Sequence, residues 1–179
     1  SSGLGTEWCA PPVRGALPGN LAVPGWMRGG GRGVGVGVAG AGDEWDSTHR
    51  QGVAPEGLRA VRCEVTDTDS VNAAVDEAEQ LLGGPVEVLV ANAGITRDTL
   101  LMRMRDDDFD AVIDTHPAGA FRCARRAATG MIRKRRGRIV FISSVVGLYG
   151  GAGQTNYAAS KAGLVGLARS ISRELGGRG

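Results

Sequence analysis

The stretch RIVFISSVVGLYGGAGQTNYAASKAG, residues 138–163, decides the fold because it reads as a strand, a loop and the start of a helix. Its opening run, 138–143, is mostly apolar and β-branched, which is typical of a buried strand. A glycine-rich connection over 147–153 follows. We expect the next helix to cover Thr155–Leu175, with Thr155 or Asn156 as its cap and two glycines after its end.

Three polar residues of this unit form a candidate proton-transfer site. Ser144 follows the strand, and Tyr157 and Lys161 are four residues apart, which places their side chains on one face of the helix. A neighbouring ammonium favours the phenolate form of a tyrosine, and a serine hydroxyl can hydrogen-bond the same substrate oxygen. The alternative is an exposed Tyr and Lys on an alanine-rich helix. The upstream strand and Ser144 favour chemistry at an alcohol or carbonyl oxygen.

The composition fits one domain. The chain has 179 residues, of which 42% are hydrophobic, enough to build a single core. Its formal net charge of +2 gives no electrostatic case for binding nucleic acid or a membrane surface. Because no apolar run is long enough to span a bilayer, we expect a soluble, cytoplasmic protein.

The three cysteines, Cys9, Cys63 and Cys123, are widely spaced and follow no metal-binding or redox pattern. We interpret them as small buried hydrophobic residues in a reducing cytosol. No metal site is expected.

The first part of the chain is poor material for regular structure. Prolines interrupt residues 1–28, for which we expect an irregular or disordered tail, whereas residues 29–179 are expected to form the domain. The run GGGRGVG at 29–35 can bring backbone close to a phosphate and lead into a helix, expected over 36–42. A flexible linker is the alternative, since the spacing G-x-x-x-G-x-G differs from the usual dinucleotide fingerprint.

Strands and helices then alternate. Residues 58–66 read as a strand, 67–82 as an amphipathic helix and 86–91 as a second buried strand, which ends before Asn92. This β-α-β order predicts an α/β fold of the doubly wound Rossmann type, with a parallel sheet between helices.

The helix predicted over 106–135 carries proline in its middle. Aspartates at its start and basic residues at its end complement the helix dipole. Pro117 removes a backbone hydrogen bond and should kink or break the helix beside His116. The basic run 133–136 is either a solvated terminus or a docking surface for an acidic partner.

Four motifs together resemble the short-chain dehydrogenase/reductase family and, within it, the NADPH-dependent 3-oxoacyl-[acyl-carrier-protein] reductases. They are NAG at 92–94, LMRM at 101–104, ISSVVG at 142–147 and NYAASKAG at 156–163. The resemblance covers residues 58–179 well and 29–57 in patches. It implies reduction of a 3-oxoacyl thioester to the 3-hydroxyacyl product in fatty acid biosynthesis.

The family's site roles transfer residue by residue. The resemblance implies that Ser144 orients the substrate carbonyl, that Tyr157 donates the proton, and that Lys161 supports Tyr157 and holds the nicotinamide ribose. Arg50 matches the position that pairs the 2′-phosphate and selects NADP over NAD. The positions implied in NADP(H) binding are Gly29, Arg32, Gly33, Val34, Gly35, Arg50, Glu64, Val65, Asn92, Ala93, Gly94, Tyr157 and Lys161.

The resemblance also implies partners. Arg135 and Arg178 match basic positions that contact the acidic carrier protein, and the helices at 106–135 and 155–175 match the pair that forms a homodimer. His116 stands where the family has an asparagine that holds a water of the proton relay. We expect the relay geometry to suffer from this change and from the proline beside it.

Departures from the family leave alternatives open. Its last strands and substrate-covering helices have no counterpart here, so we expect a domain truncated at the C-terminal side, with an exposed apolar edge along 138–143. One hypothesis is an active reductase. The other is a catalytically impaired relative that acts at most as a dimerising or binding module. A further hypothesis holds that residues 1–57 come from a shifted reading frame.

Overall fold

A computed structural model describes the chain at residues 35–38 and 60–178. Its strands and helices there are β1 (Gly35–Val38), β2 (Ala60–Cys63), α1 (Thr68–Leu82), β3 (Val88–Ala91), α2 (Asp106–Ile113), α3 (Gly119–Lys134), β4 (Arg138–Phe141), α4 (Val146–Tyr149) and α5 (Thr155–Leu175). Turns of 3-10 helix cover Leu101–Arg103 and Gly176–Arg178, and a π-helical turn covers Asp114–Ala118. The predicted tail lies outside the described residues. None of the helices described is both long enough and apolar enough to cross a membrane.

The described strands form two parallel pairs. β1 pairs with β2, and β3 pairs with β4 in a register that sets Val88 opposite Arg138. The chain leaves β3 and returns to β4 through α2 and α3, the kind of helical crossover that parallel pairing needs. This arrangement confirms the predicted α/β fold with parallel strands.

The helix predicted over 36–42 is wrong at residues 36–38. Gly35–Val38 has the sequence GVGV and forms strand β1, in register with Ala60–Cys63. Alternating valine and glycine has the two-residue period of a strand, and each glycine costs a helix about 1 kcal/mol relative to alanine. Gly35, predicted as the end of a phosphate loop, is therefore the first residue of a strand.

Helix α1 covers the core beside β2, as predicted. The Asp67 carboxylate caps it by accepting from the Asp69 amide at 2.9 Å, and Gly83 ends it at φ 71°. Each fully buried valine of this core stabilises the folded state by about 1.5–3 kcal/mol. The central cluster consists of Val61, Cys63, Val65, Val71 and Ala74.

Pro117 interrupts the long helix, as predicted. The π-helical turn Asp114–Ala118 separates α2 from α3 because proline has no N–H to give to the helical pattern. The Arg122 guanidinium stabilises this turn by donating to the Asp114 carboxylate at 2.7 Å and to the Asp114 carbonyl at 3.3 Å. As a result His116 points into the interior, where 2% of it is exposed.

Strand β4 has a neighbouring strand on one side only among the described strands. It pairs with β3 alone there, and Val140 and Ile142 are 37% and 39% exposed. A groove of about 440 Å³ runs beside it, lined in part by Phe141, Met131 and Ile171. The exposed apolar edge expected along 138–143 is thus present.

Candidate active site

Lys161 lies on the inner face of α5, and 5% of it is exposed. Its Nζ donates to the carbonyl of Ile142, 2.9 Å away and just beyond the end of β4. Burial lowers the pKa of Lys161 from its ordinary value of 10.5. The Ser143 hydroxyl donates to the Lys161 carbonyl at 2.8 Å, so β4 and α5 are tied together at this residue twice.

Tyr157 lies one helical turn before Lys161. The lysine Nζ is 5.6 Å from the centre of the phenol ring, within the range of a cation–π contact. On its other side, the His116 ring meets the phenol edge to face, with centres 5.5 Å apart and planes at 87°. The structure thus brings Tyr157 and Lys161 together, as their four-residue spacing predicts, and adds a buried imidazole.

Asn156 and Ser160 fix the first turn of α5 around Tyr157. Asn156 is fully buried, and its Nδ2 donates to the carbonyls of Arg97 at 2.9 Å and Asp108 at 3.3 Å. Its Oδ1 accepts from the Tyr157 amide at 2.8 Å. Ser160 Oγ donates to the Tyr157 carbonyl at 2.8 Å. The backbone of Tyr157 is therefore held from both sides.

The cap of α5 differs from the prediction. Gln154 is the N-cap residue and makes no side-chain capping bond, whereas we expected Thr155 or Asn156. Asn156 uses its amide to join the loop before α2 and α2 itself to the helix, and Gln154 donates instead to the Asp98 carboxylate at 2.8 Å. Hydrogen bonds between distant segments replace the local cap at this helix end.

Ser144 lies beyond the end of β4, in the turn that leads to α4. Its hydroxyl accepts from the Val146 amide at 3.3 Å, so its own proton can be donated to a substrate oxygen. Gly147 lets this turn approach α5 closely. A Cβ at Gly147 would lie 2.8 Å from the Ala162 nitrogen and 2.9 Å from the Lys161 Cβ. Any side chain at 147 would push the Ser144 turn away from Lys161.

His116 connects Tyr157 to the turn after β3. Its Nε2 lies 2.9 Å from the amide nitrogen of Ile95 and 2.8 Å from the Ile95 carbonyl oxygen. Its Nδ1 is buried and has no hydrogen-bond partner within the described part of the chain. Burial lowers the pKa of His116 below its ordinary 6.5; the Ile95 bond opposes this shift and the Lys161 charge adds to it. An uncharged ring therefore occupies the predicted relay position.

The predicted turn at 92–94 packs against this histidine. A Cβ at Gly94 would lie 2.5 Å from Cε1 of His116, so the ring fills the space that a side chain would need. Asn92 and Ala93 line, together with His116, a cavity of about 40 Å³ between the strands and α3. The turn and the imidazole form one packed wall behind the tyrosine.

Glu64 and Val65, predicted near the adenosine, follow β2 directly. Glu64 Oε1 accepts from the amide and the hydroxyl of Thr66, at 3.1 and 2.9 Å. The Val65 side chain is in the core with 2% exposure, and its carbonyl accepts from Arg122 at 3.1 Å. Among the described residues, the second carboxylate oxygen of Glu64 stays available for a ligand, whereas the Val65 side chain faces the core.

Of the remaining predicted residues, the structure describes Arg135 and Arg178, and both are exposed near helix ends. Arg135 ends α3 in the left-handed conformation, with φ 50°, and is exposed; Arg178 is exposed in the turn that follows α5. The part of the glycine-rich run before β1 and the position for the 2′-phosphate lie outside the described residues: Gly29, Arg32, Gly33, Val34 and Arg50.

Two contributors to the site escape sequence reasoning. Ile95 acts through its backbone groups, which carry no side-chain signal. Ser160 is three residues after Tyr157, and that spacing places its hydroxyl near the Tyr157 carbonyl, a signal that could have identified it.

Comparison with known proteins bears on this site. The family model described as short chain dehydrogenase matches residues 30–179. The chain belongs to the short-chain dehydrogenase family. Its Rossmann-type fold follows from that membership and agrees with the parallel strands and crossover helices described above.

Several curated relatives are similar in sequence. The 3-oxoacyl-[acyl-carrier-protein] reductase MabA of Mycobacterium avium is 50% identical over 153 residues, 83% of this chain and 60% of that protein. MabA of Mycobacterium bovis is 46% identical over 170 residues, 93% of this chain and 68% of that protein. The reductase FabG of Staphylococcus aureus is 49% identical over 120 residues, 67% of this chain and 48% of that protein. The chain thus spans about half to two thirds of the length of these relatives.

Proposed function

We propose that this chain carries the site of an NADPH-dependent 3-oxoacyl-[acyl-carrier-protein] reductase, which forms the 3-hydroxyacyl thioester in fatty acid biosynthesis. One observation carries the proposal. Lys161 is buried, its ammonium lies 5.6 Å from the Tyr157 ring, and it is bonded to the end of the strand that Ser144 follows. The names of the similar reductases support the substrate class.

The residues present fit a nicotinamide cofactor. An ammonium has three N–H donors, and within the described residues Lys161 gives one of them to Ile142. Donors therefore remain for the hydroxyls of a ribose. Asn92 and Ser144 follow the carboxyl ends of neighbouring parallel strands, the edge at which Rossmann-type folds bind nucleotides.

When bound, the nicotinamide would supply a hydride to the carbonyl carbon of the substrate. As that carbon is reduced, negative charge develops on its oxygen, and the Ser144 hydroxyl stabilises the charge by donating a hydrogen bond. The Tyr157 hydroxyl gives its proton to the same oxygen, which completes the alcohol. Lys161 offsets the charge that this transfer leaves on the phenolate.

Preference for NADPH over NADH rests on Arg50, because a guanidinium binds a phosphate through two parallel hydrogen bonds. Titration with each cofactor, followed by nucleotide fluorescence, tests this assignment. We expect tighter binding of NADPH, and we expect Arg50→Ala to weaken NADPH binding while leaving NADH binding unchanged. Equal losses for both cofactors would contradict the assignment.

Arg135 and Arg178 are proposed to contact the acidic carrier protein, and both are exposed. Arg135→Glu and Arg178→Glu should raise KM for acetoacetyl-[acyl-carrier-protein] and leave KM for acetoacetyl-coenzyme A unchanged, since only the carrier-linked substrate presents an acidic protein surface. Arg62→Glu, at an exposed position on β2, is the matched control. A rise with both substrates would show that the mutations damage the site itself.

A homodimer through residues 106–135 and 155–175 is part of the proposal. The outer face of α5 exposes small residues at helical spacing, which permits close approach of a second helix: Ala159, Ala162, Gly163 and Gly166. A Cβ at Gly166 has no neighbour within 4 Å in the single chain. Gly166→Glu should therefore fold and sediment as a monomer; an unchanged dimer would exclude this interface.

The reductase proposal is tested by product analysis. The chain, incubated with NADPH and acetoacetyl-coenzyme A, should form the 3-hydroxybutyryl thioester in an amount equal to the NADPH consumed. NADPH binding without product would instead favour the impaired relative, and absence of both would contradict the proposal.

A further inference from the structure

Cys63 and Cys123 are far apart in the sequence and adjacent in the fold. Cys63 ends β2 and is 2% exposed, whereas Cys123, on α3, is partly buried and packs against the core cluster that contains Cys63. Both thiols are free, and both line the cavity of about 40 Å³ beside His116. The spacing of the cysteines in the sequence does not predict this pair.

The register of α3 against β2 brings the two cysteines together. Gly119 meets Val65 so closely that a Cβ at Gly119 would lie 2.9 Å from the Val65 Cβ. Cys123 is four residues after Gly119, about 6 Å further along the helix. Cys63 is two residues before Val65, about 6.6 Å back along the chain. Cys123 packs against the cluster that contains Cys63, so these two steps of similar length lead to the same part of the core.

The chemistry of the two sulfurs differs. The neighbouring Cys123 thiol raises the pKa of Cys63, and burial raises it further. The neighbouring Cys63 thiol lowers the pKa of Cys123, and the adjacent Arg122 charge also lowers it, while burial opposes both. Cys123 is therefore the better nucleophile, and it is also the more accessible of the two.

We propose that Cys63 and Cys123 form a dithiol modification site that a peroxide closes to a disulfide. A disulfide needs its two Cα atoms about 4.4–6.8 Å apart. The close packing of α3 on the chain after β2, at Gly119 and Val65, holds the two cysteine-bearing segments together.

The proposed oxidation proceeds in two balanced steps. The Cys123 thiolate attacks one peroxide oxygen; an S–O bond forms, the O–O bond breaks, and the leaving oxygen departs as alkoxide or hydroxide and takes a proton. The Cys63 sulfur then attacks the Cys123 sulfenic acid. An S–S bond forms, the S–O bond breaks, and hydroxide leaves with the Cys63 proton as water. The two thiols lose two electrons and the peroxide gains them.

The disulfide would join two segments of the proposed site. Cys63 immediately precedes Glu64, and Cys123 lies one turn into the helix that begins after the His116 turn. Oxidation would lock α3 to β2 across the contact of Gly119 and Val65.

To test the proposal, the folded chain is treated with hydrogen peroxide. The protein carries Cys9→Ser, which removes the third cysteine. Its intact mass is then measured, its remaining thiols are alkylated, and its peptides are mapped. We expect the protein to lose the mass of two hydrogen atoms, to resist alkylation, and to yield one linked peptide pair containing 63 and 123. Reduction with dithiothreitol should restore both thiols.

Two variants separate the steps. Cys63→Ala leaves Cys123 without a resolving thiol, so it should trap a sulfenic acid that reacts with dimedone. Cys123→Ala should leave Cys63 unmodified, because that thiol is buried and its proton is retained. Three results would overturn the proposal. They are a disulfide between two chains, over-oxidation of Cys123 while Cys63 stays free in the Cys9→Ser protein, and no reaction of the folded protein.

Discussion

A single ring nitrogen of His116 faces both backbone groups of Ile95: Nε2 lies 2.9 Å from the amide nitrogen and 2.8 Å from the carbonyl oxygen. A neutral imidazole nitrogen either donates or accepts, so it satisfies one of the two groups at a time. The side-chain amide of an asparagine carries both a donor and an acceptor. The His116 nitrogen therefore serves one Ile95 group where an asparagine side chain could serve both, and its ring packs on Tyr157.

Protonation of His116 should destabilise the fold. Because its pKa is lowered in the folded state, the unfolded chain binds a proton in a pH range where the folded chain does not. Stability is therefore full above the ordinary pKa of 6.5 and falls as the pH drops from 6.5 towards the folded pKa. The slope contributed by one proton is at most about 1.4 kcal/mol per pH unit.

Urea denaturation above and below pH 6.5 checks this prediction. His116→Asn should flatten the pH dependence over that range, and His49→Asn, at the chain's other histidine, is the control. Equal slopes for the wild type and His116→Asn would show that the buried imidazole is not the group responsible.

The contact between Gly94 and His116 should not tolerate a methyl group. An alanine Cβ at 94 would lie 2.5 Å from Cε1 of the ring, so we expect Gly94→Ala to destabilise the protein by about 1–3 kcal/mol. Gly176→Ala is the matched control, because Gly176 has a helical backbone (φ −59°), has open space for a Cβ and lies outside the proposed dimer helices; it should gain about 0.4–1 kcal/mol. Urea denaturation of both variants measures the difference, and shifts of the same sign would refute the packing described here.

Asn156 should be among the most sensitive polar positions. Asn156→Ala removes a donor from the carbonyls of Arg97 and Asp108 and removes the acceptor for the Tyr157 amide, which should cost about 1–3 kcal/mol. Asn72→Ala, at an exposed position of α1, should change stability by less than about 0.5 kcal/mol. Denaturant midpoints of the two variants should differ clearly, and matching midpoints would mean that the buried amide contributes little.

The sequence predicts those features that depend on neighbouring residues. The bounds of α5 and the break at Pro117 follow from spacing and local chemistry. The shared face of Tyr157 and Lys161 follows from helical periodicity.

Contacts between distant segments are beyond such reasoning. The meeting of Cys63 with Cys123 depends on the register of a helix against a strand, which no local pattern encodes. The buried bonds of Asn156 likewise override its local preference to cap the helix. The helix predicted at Gly35–Val38 is wrong because the prediction followed the glycine-rich motif. The alternation of glycine and valine in the same stretch indicates a strand.

Lys161 should be required for activity and not for stability. Burial lowers its pKa, which means that the folded state holds the charge less favourably than water does. Lys161→Met removes that charge, so the free energy of unfolding of this variant should rise, or fall by no more than about 1 kcal/mol. The variant should lose NADPH turnover. Lys134→Met, at the chain's other lysine, is exposed and should retain both properties. A loss of stability on the scale of a broken core would show instead that Lys161 has a structural role.

The proton donor gives the most direct test of the proposed chemistry. The chain has two tyrosines: Tyr157, packed between His116 and Lys161, and Tyr149, which is 85% exposed. Each is changed to phenylalanine, and NADPH oxidation is followed with acetoacetyl-coenzyme A. We predict that Tyr149→Phe keeps the wild-type rate and that Tyr157→Phe loses turnover by a factor of at least about 100 while still binding NADPH. A Tyr157→Phe protein that turns over as the wild type does would contradict the assignment of this site.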